Sequence, residues 1–125
     1  MNIGTKKVLE FKVEKELTAK FVGSGELEVL ATPAMIAFME KASCELVSHS
    51  LAEGETTVGT LVNVAHVRAS LVGEIIAVES ELIEIDRKRL VFDVKASSGE
   101  YVIGEGIHER FIVNSEKFMN KLRNK

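Results

Sequence analysis

The hydrophobic pattern changes its period several times along the chain. Residues 8–22 partly alternate between apolar and polar positions, which predicts one strand or two short ones before the turn at Gly23-Ser24-Gly25. Thr32-Pro33 then opens a stretch with apolar residues at three- and four-residue spacing to about Leu51, which predicts one long helix with Thr32 as its N-cap. Four runs rich in β-branched residues follow, at about 57–69, 74–86, 89–97 and 101–113.

Short polar connections join the last three of these runs. Asp86-Arg87-Lys88 and Ser98-Gly99-Glu100 are typical of hairpin turns, so the three runs are expected to form an antiparallel meander. Ser115 is a candidate cap for a closing amphipathic helix. This order of elements favours a curved antiparallel sheet that buries one long helix against one of its faces. The predicted fold class is therefore α+β, with the hot-dog arrangement of a sheet wrapped around a central helix.

Composition limits the classes of function. A chain of 125 residues with 46% apolar residues fits a single domain that spans 1–125. The net charge of −3 provides no excess of basic residues for nucleic acid. A single cysteine, Cys44, excludes an internal disulfide and is expected to be a small core residue rather than a reactive thiol. Because no stretch approaches the ~18 apolar residues of a membrane span, we expect a cytoplasmic protein with no membrane partner.

One carboxylate interrupts the predicted apolar face of the long helix. At 100° per residue Glu40 projects onto that face, whereas Lys41, Glu45 and His49 gather on the opposite arc. Burying an unpaired carboxylate is costly, so Glu40 is expected to have a partner or a catalytic role. The alternative is a helix edge at which Glu40 reaches solvent. The neighbours of Glu40 in this projection are Pro33, Ile36, Ala37, Ser43, Cys44, Val47 and Leu51.

His66 is the second unusual residue. If its strand parity faces the helix, His66 and Glu40 belong to one buried interface, where an imidazole and a carboxylate are suited to acid/base chemistry. A purely structural histidine is the alternative, just as helix capping alone would explain the hydroxyl of Thr32. No nucleophile elbow, phosphate loop or metal-binding motif is present, so catalysis would use carboxylate, imidazole, hydroxyl and backbone groups. The residues that share the parity of His66 are Val58, Thr60, Val62 and Val64.

The segments that contain these residues resemble the fluoroacetyl-CoA thioesterase family from about Leu30 to Phe118. The similar blocks are ATPAMIAFME (31–40), EGETTVGTLVNVAH (53–66), VGEIIAVESELIEIDRKRLVFDVKA (72–96) and IGEGIHERFIV (103–113). The resemblance implies a dimeric hot-dog enzyme that hydrolyses acyl-CoA thioesters, with catalytic residues at Thr32, Glu40 and His66. It also implies that Gly59 lies near the thioester and that Arg110 lies on the substrate side.

The resemblance further implies that no metal or redox cofactor is needed and that coenzyme A enters only as part of the substrate. The stretch KFVGSGELEVL (20–30) is shorter than the phenylalanine-bearing lid segment of the fluoroacetyl-specific enzyme. We therefore expect hydrolysis of a small acyl-CoA other than fluoroacetyl-CoA, with Glu40 as base or as nucleophile. A non-catalytic acyl-CoA binding module and a hydratase or dehydratase are the alternatives.

Overall fold

The structure, a computed structural model, describes residues 1–124. This part of the chain contains five strands and three α-helices. All neighbouring strands are antiparallel, in the order β1-β3-β4-β5-β2, so β1 and β2 form the two edges of the sheet. In chain order the elements are β1 (Lys6–Lys12), the helical turn α1 (Ala19–Val22), α2 (Thr32–Ser48), β2 (Glu55–His66), β3 (Ile75–Asp86), β4 (Arg89–Ser98), β5 (Tyr101–Asn114) and α3 (Ser115–Arg123).

The long helix α2 packs across one face of the sheet, mainly against β3 and β1. A stacked aromatic pair, Phe11 on β1 and Phe38 on α2, has its ring centroids 3.8 Å apart. Inside the core the hydroxyl groups of Ser43 and Ser80 satisfy each other at 2.7 Å, as buried polar groups require. This is the hot-dog arrangement, and the predicted α+β fold class is confirmed.

The buried face of α2 differs from the predicted one. Pro33 and Ala37 are exposed, whereas Met35 and Met39 are fully buried, and Glu40 lies at the margin of the buried face. The projection was misleading because small apolar residues tolerate either environment, while the long methionine side chains fill the space against the sheet. The helix also ends at Ser48, short of the predicted Leu51.

The prediction of strand through residues 8–22 is correct only for its first part, because β1 ends at Lys12. A short 3-10 turn (Lys15–Leu17) and the helical turn α1 follow. This segment pairs its backbone with the residues that precede α2: Ala31 N–H donates to the Leu17 carbonyl and Ala19 N–H to the Val29 carbonyl, each at 2.8 Å. The backbone of the segment that was predicted as strand therefore holds the residues that precede α2.

The predicted meander β3-β4-β5 is confirmed, with Arg87 (φ 58°) and Gly99 (φ 58°) in its two tight turns. The closing helix α3 is also present, but its cap is Asn114 rather than Ser115, because Asn114 Oδ1 accepts from Lys117 N–H at 3.0 Å. Within residues 1–124 no helix is both long enough and apolar enough to cross a membrane.

Candidate active site

Thr32 and His66 are brought together by the start of α2 and the end of β2. Thr32 Oγ1 and His66 Nδ1 are 2.7 Å apart, a short hydrogen bond whose direction depends on the tautomer of the imidazole. The predicted capping role of Thr32 is wrong, because the residue at the N-cap position is Ala31 and no side chain caps this end. The Thr32 hydroxyl is therefore free to orient the imidazole.

The second ring nitrogen of His66 has no hydrogen-bond partner in the described part of the chain. Nε2 is buried and makes no hydrogen bond within residues 1–124. Burial lowers the pKa of His66 below its usual range, and the backbone of Arg68 opposes this shift more weakly. In the neutral tautomer in which Nδ1–H donates to Thr32 Oγ1, Nε2 has a free lone pair and is suited to accept a proton from an incoming group.

A cleft of about 280 Å³ lies beside this pair. Thr32 and His66 line it together with Arg68, whose guanidinium stacks over the ring of Tyr101 at 3.9 Å. A larger cleft of about 390 Å³ lies elsewhere, over the charged side chains of the sheet, and contains none of the candidate residues. Among residues 1–124 no group of three His, Cys, Asp or Glu side chains is arranged to hold a metal ion.

Glu40 is paired with Arg110, away from the Thr32–His66 cleft. Its Oε2 lies 3.5 Å from Nη1 of Arg110, and the Glu40 side chain is 41% exposed. A Cβ atom added at Gly59 would lie only 2.8 Å from Glu40 Oε2, so a glycine is needed for the carboxylate to approach β2 this closely. The expectation that Glu40 has a partner is met by an arginine.

Arg110 itself is held in a buried network. Its Nε–H donates to Thr57 Oγ1 at 2.8 Å and its Nη2–H donates to the Thr57 carbonyl at 3.0 Å. Its Nη1 lies 3.2 Å from Nε2 of His108, a residue that is 1% exposed. Because charged side chains are rarely buried unless paired, this network fixes the guanidinium and leaves its Nη1 edge towards Glu40.

The two groups are far apart within one chain. Thr32 and Glu40 are eight residues apart on α2, which corresponds to about 12 Å along the helix axis. Gly59 and His66 are seven residues apart on β2, about 23 Å for extended backbone. The expected contact between Glu40 and His66 therefore does not form within a single chain, and the candidate residues form two separate groups.

A bulge in β2 corrects the predicted strand parity. The pairing with β5 shifts between Gly59 and Leu61, so that Thr60 is an extra residue. Thr57 and Gly59 consequently face α2 on one side of the bulge, while His66 faces it on the other. Strict alternation through Val58 and Thr60 could not show this, because one inserted residue reverses the inward and outward positions.

Sequence reasoning missed Thr57 and His108 altogether. Their signal was present but weak: His108 and Arg110 are two residues apart on β5, so they point to the same face of the sheet. Two titratable side chains on a buried face predict a polar network, because neither can be buried without partners.

Comparisons with known proteins place the chain in a family. The family model described as fluoroacetyl-CoA-specific thioesterase matches residues 13–116. The fluoroacetyl-CoA thioesterase of Streptantibioticus cattleyicolor is 38% identical over 98 residues, which cover 78% of this chain and 70% of that protein.

Solved structures are similar over nearly the whole chain. A variant of the fluoroacetyl-CoA thioesterase in complex with acetyl-CoA superposes with a TM-score of 0.94 at 31% identity, covering 99% of this chain and 98% of the other. A hot-dog-like protein from Thermanaerovibrio acidaminovorans gives a TM-score of 0.91 at 21% identity, covering 99% and 92% of the two chains. The second likeness concerns the fold alone.

Proposed function

Because this chain belongs to the fluoroacetyl-CoA-specific thioesterase family and is a thioester hydrolase, we propose that it hydrolyses small acyl-CoA thioesters at a site assembled from two copies of the chain. Glu40 supplies the carboxylate, and Thr32 and His66 supply a hydroxyl-oriented imidazole. The observation that carries the proposal is the Thr32–His66 hydrogen bond with an unpaired, buried Nε2 beside a cleft.

The reaction needs a base or nucleophile, a proton carrier and donors for the developing oxyanion. Glu40 either activates a water molecule or attacks the carbonyl carbon directly. In the first route Glu40 takes a proton from the water as the water oxygen bonds to the carbonyl carbon, the C–S bond breaks, and His66 carries a proton to the departing thiolate. In the second route the Glu40 oxygen bonds to the carbonyl carbon as the C–S bond breaks, and water then hydrolyses the resulting anhydride and restores the carboxylate. Either route consumes one water and releases a carboxylic acid and free coenzyme A. Backbone N–H groups near Gly59 stabilise the oxyanion.

A second copy of the chain could bring Glu40 close to Thr32 and His66, which are far from it within one chain. When two copies of one strand pair about a two-fold axis, the strands run antiparallel. A residue that precedes the axis in one copy then lies opposite a residue that follows the axis in the other copy. An axis near Val62 and Asn63 is midway between Gly59 and His66. Pairing of β2 with its copy about this axis brings Glu40 of one protomer next to Thr32 and His66 of the other, and it forms two equivalent sites.

The chemistry of β2 favours this pairing. Between Glu55 and His66 the strand has no charged residue, and Leu61 and Val62 are 43% and 40% exposed. An uncharged edge strand with exposed apolar side chains is a template for pairing with another strand. We expect a homodimer that buries more than ~1,000 Å² in total.

Arg68 provides positive charge at the mouth of the cleft and is the residue we assign to the coenzyme phosphates. Phe21, the phenylalanine of the short α1 turn, is 62% exposed and lines a neighbouring cleft, while the lining of the Thr32–His66 cleft includes no phenylalanine. Without an aromatic lid over this cleft, selection of a fluorinated acyl group over its plain analogue is expected to be weak.

A panel of acyl-CoA thioesters of increasing acyl length, followed by release of free thiol, tests the proposal. Short acyl-CoA substrates should be hydrolysed, and kcat/KM for fluoroacetyl-CoA should lie within about tenfold of the value for acetyl-CoA, since one small substituent discriminates only modestly. Tight binding of every acyl-CoA without turnover would contradict the proposal. A strong preference for fluoroacetyl-CoA would contradict the part that concerns specificity.

A further inference from the structure

A buried histidine on β5 has no part in the proposed chemistry. His108 is 1% exposed, and its ring lies 6.0 Å from that of Phe92. Apolar packing alone would be served by a phenylalanine or leucine at this position. Both nitrogens of the ring have polar partners, however, and those partners define what the residue does.

The partners of His108 determine its tautomer. Nδ1 lies 2.8 Å from the Leu61 carbonyl, which can only accept, so Nδ1 carries the hydrogen. Nε2 lies 3.2 Å from Nη1 of Arg110, which can only donate, so Nε2 must offer its lone pair. Only the neutral ring with the hydrogen on Nδ1 satisfies both contacts.

The other contacts of Arg110 leave a single nitrogen towards the site. Thr57 takes the hydrogen bonds from Nε and Nη2. Nη1 lies between His108 Nε2 at 3.2 Å and Glu40 Oε2 at 3.5 Å. Thr57 and His108 together therefore hold the rigid guanidinium plane, and Nη1 is the nitrogen that faces the Glu40 carboxylate.

We infer that His108 is a positioning residue for the carboxylate of Glu40, acting through Arg110. The inference rests on the proposed function, in which Glu40 acts on the thioester. It also gives Arg110 a specific role, because the guanidinium is engaged on three sides within the protein. Arg110 therefore orients the carboxylate instead of reaching out to the substrate phosphates.

The network extends to the edge of the sheet. Leu61, whose carbonyl holds His108, directly follows the extra residue of the β2 bulge and is part of the strand that we propose to pair with a second copy. Leu61, His108, Arg110 and Glu40 therefore form a continuous chain of contacts from the proposed dimer edge to the carboxylate.

Protonation of His108 would break this chain of contacts. A hydrogen on Nε2 would point at the Nη1–H of Arg110, so the carboxylate would lose its support. Burial lowers the pKa of His108, the Leu61 carbonyl opposes this, Arg110 lowers the pKa further, and Glu40 and Glu109 act to raise it. The ring is thus kept neutral at neutral pH, the state that the network requires.

The tautomer can be measured directly in the wild-type protein by ¹⁵N NMR of the imidazole at neutral pH. A protonated Nδ1 and an unprotonated Nε2 are expected for His108. The opposite tautomer, or a charged ring at neutral pH, would overturn the inference. This measurement needs no variant and does not depend on turnover.

Kinetics test the effect on Glu40. His108→Phe retains the stacking on Phe92 but removes the acceptor, and it should lower kcat about 10- to 100-fold with KM changed by less than about threefold. His108→Gln can accept from Arg110 and should recover most of the loss. The exposed His49 provides the matched control, and His49→Gln should leave kcat unchanged.

A double variant shows whether the effect passes through Arg110. In an Arg110→Met background, His108→Phe should lower kcat no further, since the intermediate link is already absent. Losses that multiply independently would contradict a shared path. If Arg110→Met does not fold, the ¹³C signal of the Glu40 carboxylate decides: it should shift in His108→Phe and stay in place in His49→Gln. Absence of turnover in the wild type would instead reject the proposed function.

Discussion

The two edges of the sheet differ in how they face solvent. On β1, four of seven residues are charged, and Lys6 and Lys7 form ion pairs with Glu79 at 3.4 Å and Glu45 at 3.7 Å. On β2, ten consecutive residues between Glu55 and His66 carry no charge. Lysines on an edge strand discourage pairing with another chain, because each added strand would bring charge next to charge.

This difference supports the proposal that a second copy pairs at β2. The charged edge, β1, is distant in sheet order from β2, with three strands between them. The uncharged edge has Gly59 in its first half and His66 at its last residue, and each of these residues lies close to a different part of α2. In the proposed dimer, pairing at β2 would complete the site, whereas pairing at β1 would leave Glu40 far from Thr32 and His66.

Removing the carboxylate beside β2 should have the largest effect. Glu40→Gln is expected to lower kcat by about 10²–10⁴-fold, since it removes the base or nucleophile. Folding should survive, because the Glu40 side chain is 41% exposed and the Gln carbonyl can still accept from Arg110. Thiol release and thermal melting are the measurements. Glu10→Gln on β1 is the matched control, and wild-type turnover by folded Glu40→Gln would remove Glu40 from the mechanism.

A charge placed on each edge should separate their roles. Val62→Lys, next to the proposed axis, would bring two like charges together and should yield a monomer at micromolar concentration, with most activity lost. Val8→Lys on β1 starts from a comparably exposed valine, at 54% against 40%, and should leave both properties unchanged. Analytical ultracentrifugation and thiol release measure the two outcomes. A dimer that persists in Val62→Lys but dissociates in Val8→Lys would place the interface at β1 and contradict the proposal.

Acid should weaken the β2 side of the molecule through its histidines. The pKa values of His66 and His108 are lowered by burial, so below the ordinary value of about 6.5 the unfolded chain binds more protons than the native chain. Stability is therefore complete above about pH 6.5 and declines as the pH falls below it. Glu74 and Glu109, whose pKa values are also lowered, lose their contributions only at more acidic pH.

Thermal melting at about pH 7.5 and about pH 5.5 measures this effect, and we expect Tm to be about 2–4 °C lower at the acidic value. His66→Gln and His108→Gln should each reduce the difference. His49→Gln, in contrast, should retain it. A Tm difference that is unchanged in both of the first two variants would show that these histidines do not shift the stability with pH.

The sequence could predict the sheet and the helix because their signals are local. Alternating β-branched runs and hairpin turns define β3, β4 and β5, and a three- and four-residue period defines α2. Residues 13–22 were misread because irregular backbone can bury alternate side chains as a strand does. The β2 bulge could not be seen, because an inserted residue such as Thr60 is recognised only through the partner strand.

The sequence predicts candidate site residues individually but not their arrangement, and their catalytic roles stay predictions. Glu40 and His66 stand out because each is a polar group in an apolar setting, and the family resemblance adds Thr32. The separation of Glu40 from Thr32 and His66 follows from the helical rise of α2, because the eight residues between Thr32 and Glu40 correspond to about 12 Å. The network of Thr57, His108 and Arg110 depends on contacts across the sheet that periodicity does not contain.

The most direct test of the shared site uses two inactive variants. Glu40→Gln and His66→Ala, co-expressed with different tags and purified as the mixed dimer, should regain about half of the wild-type activity per dimer, since one of the two sites then has every group intact. Each variant alone, as a homodimer, should stay inactive. A mixed dimer with no more activity than the two single-variant homodimers would show that Glu40 of one copy does not meet Thr32 and His66 of the other across the β2 edge.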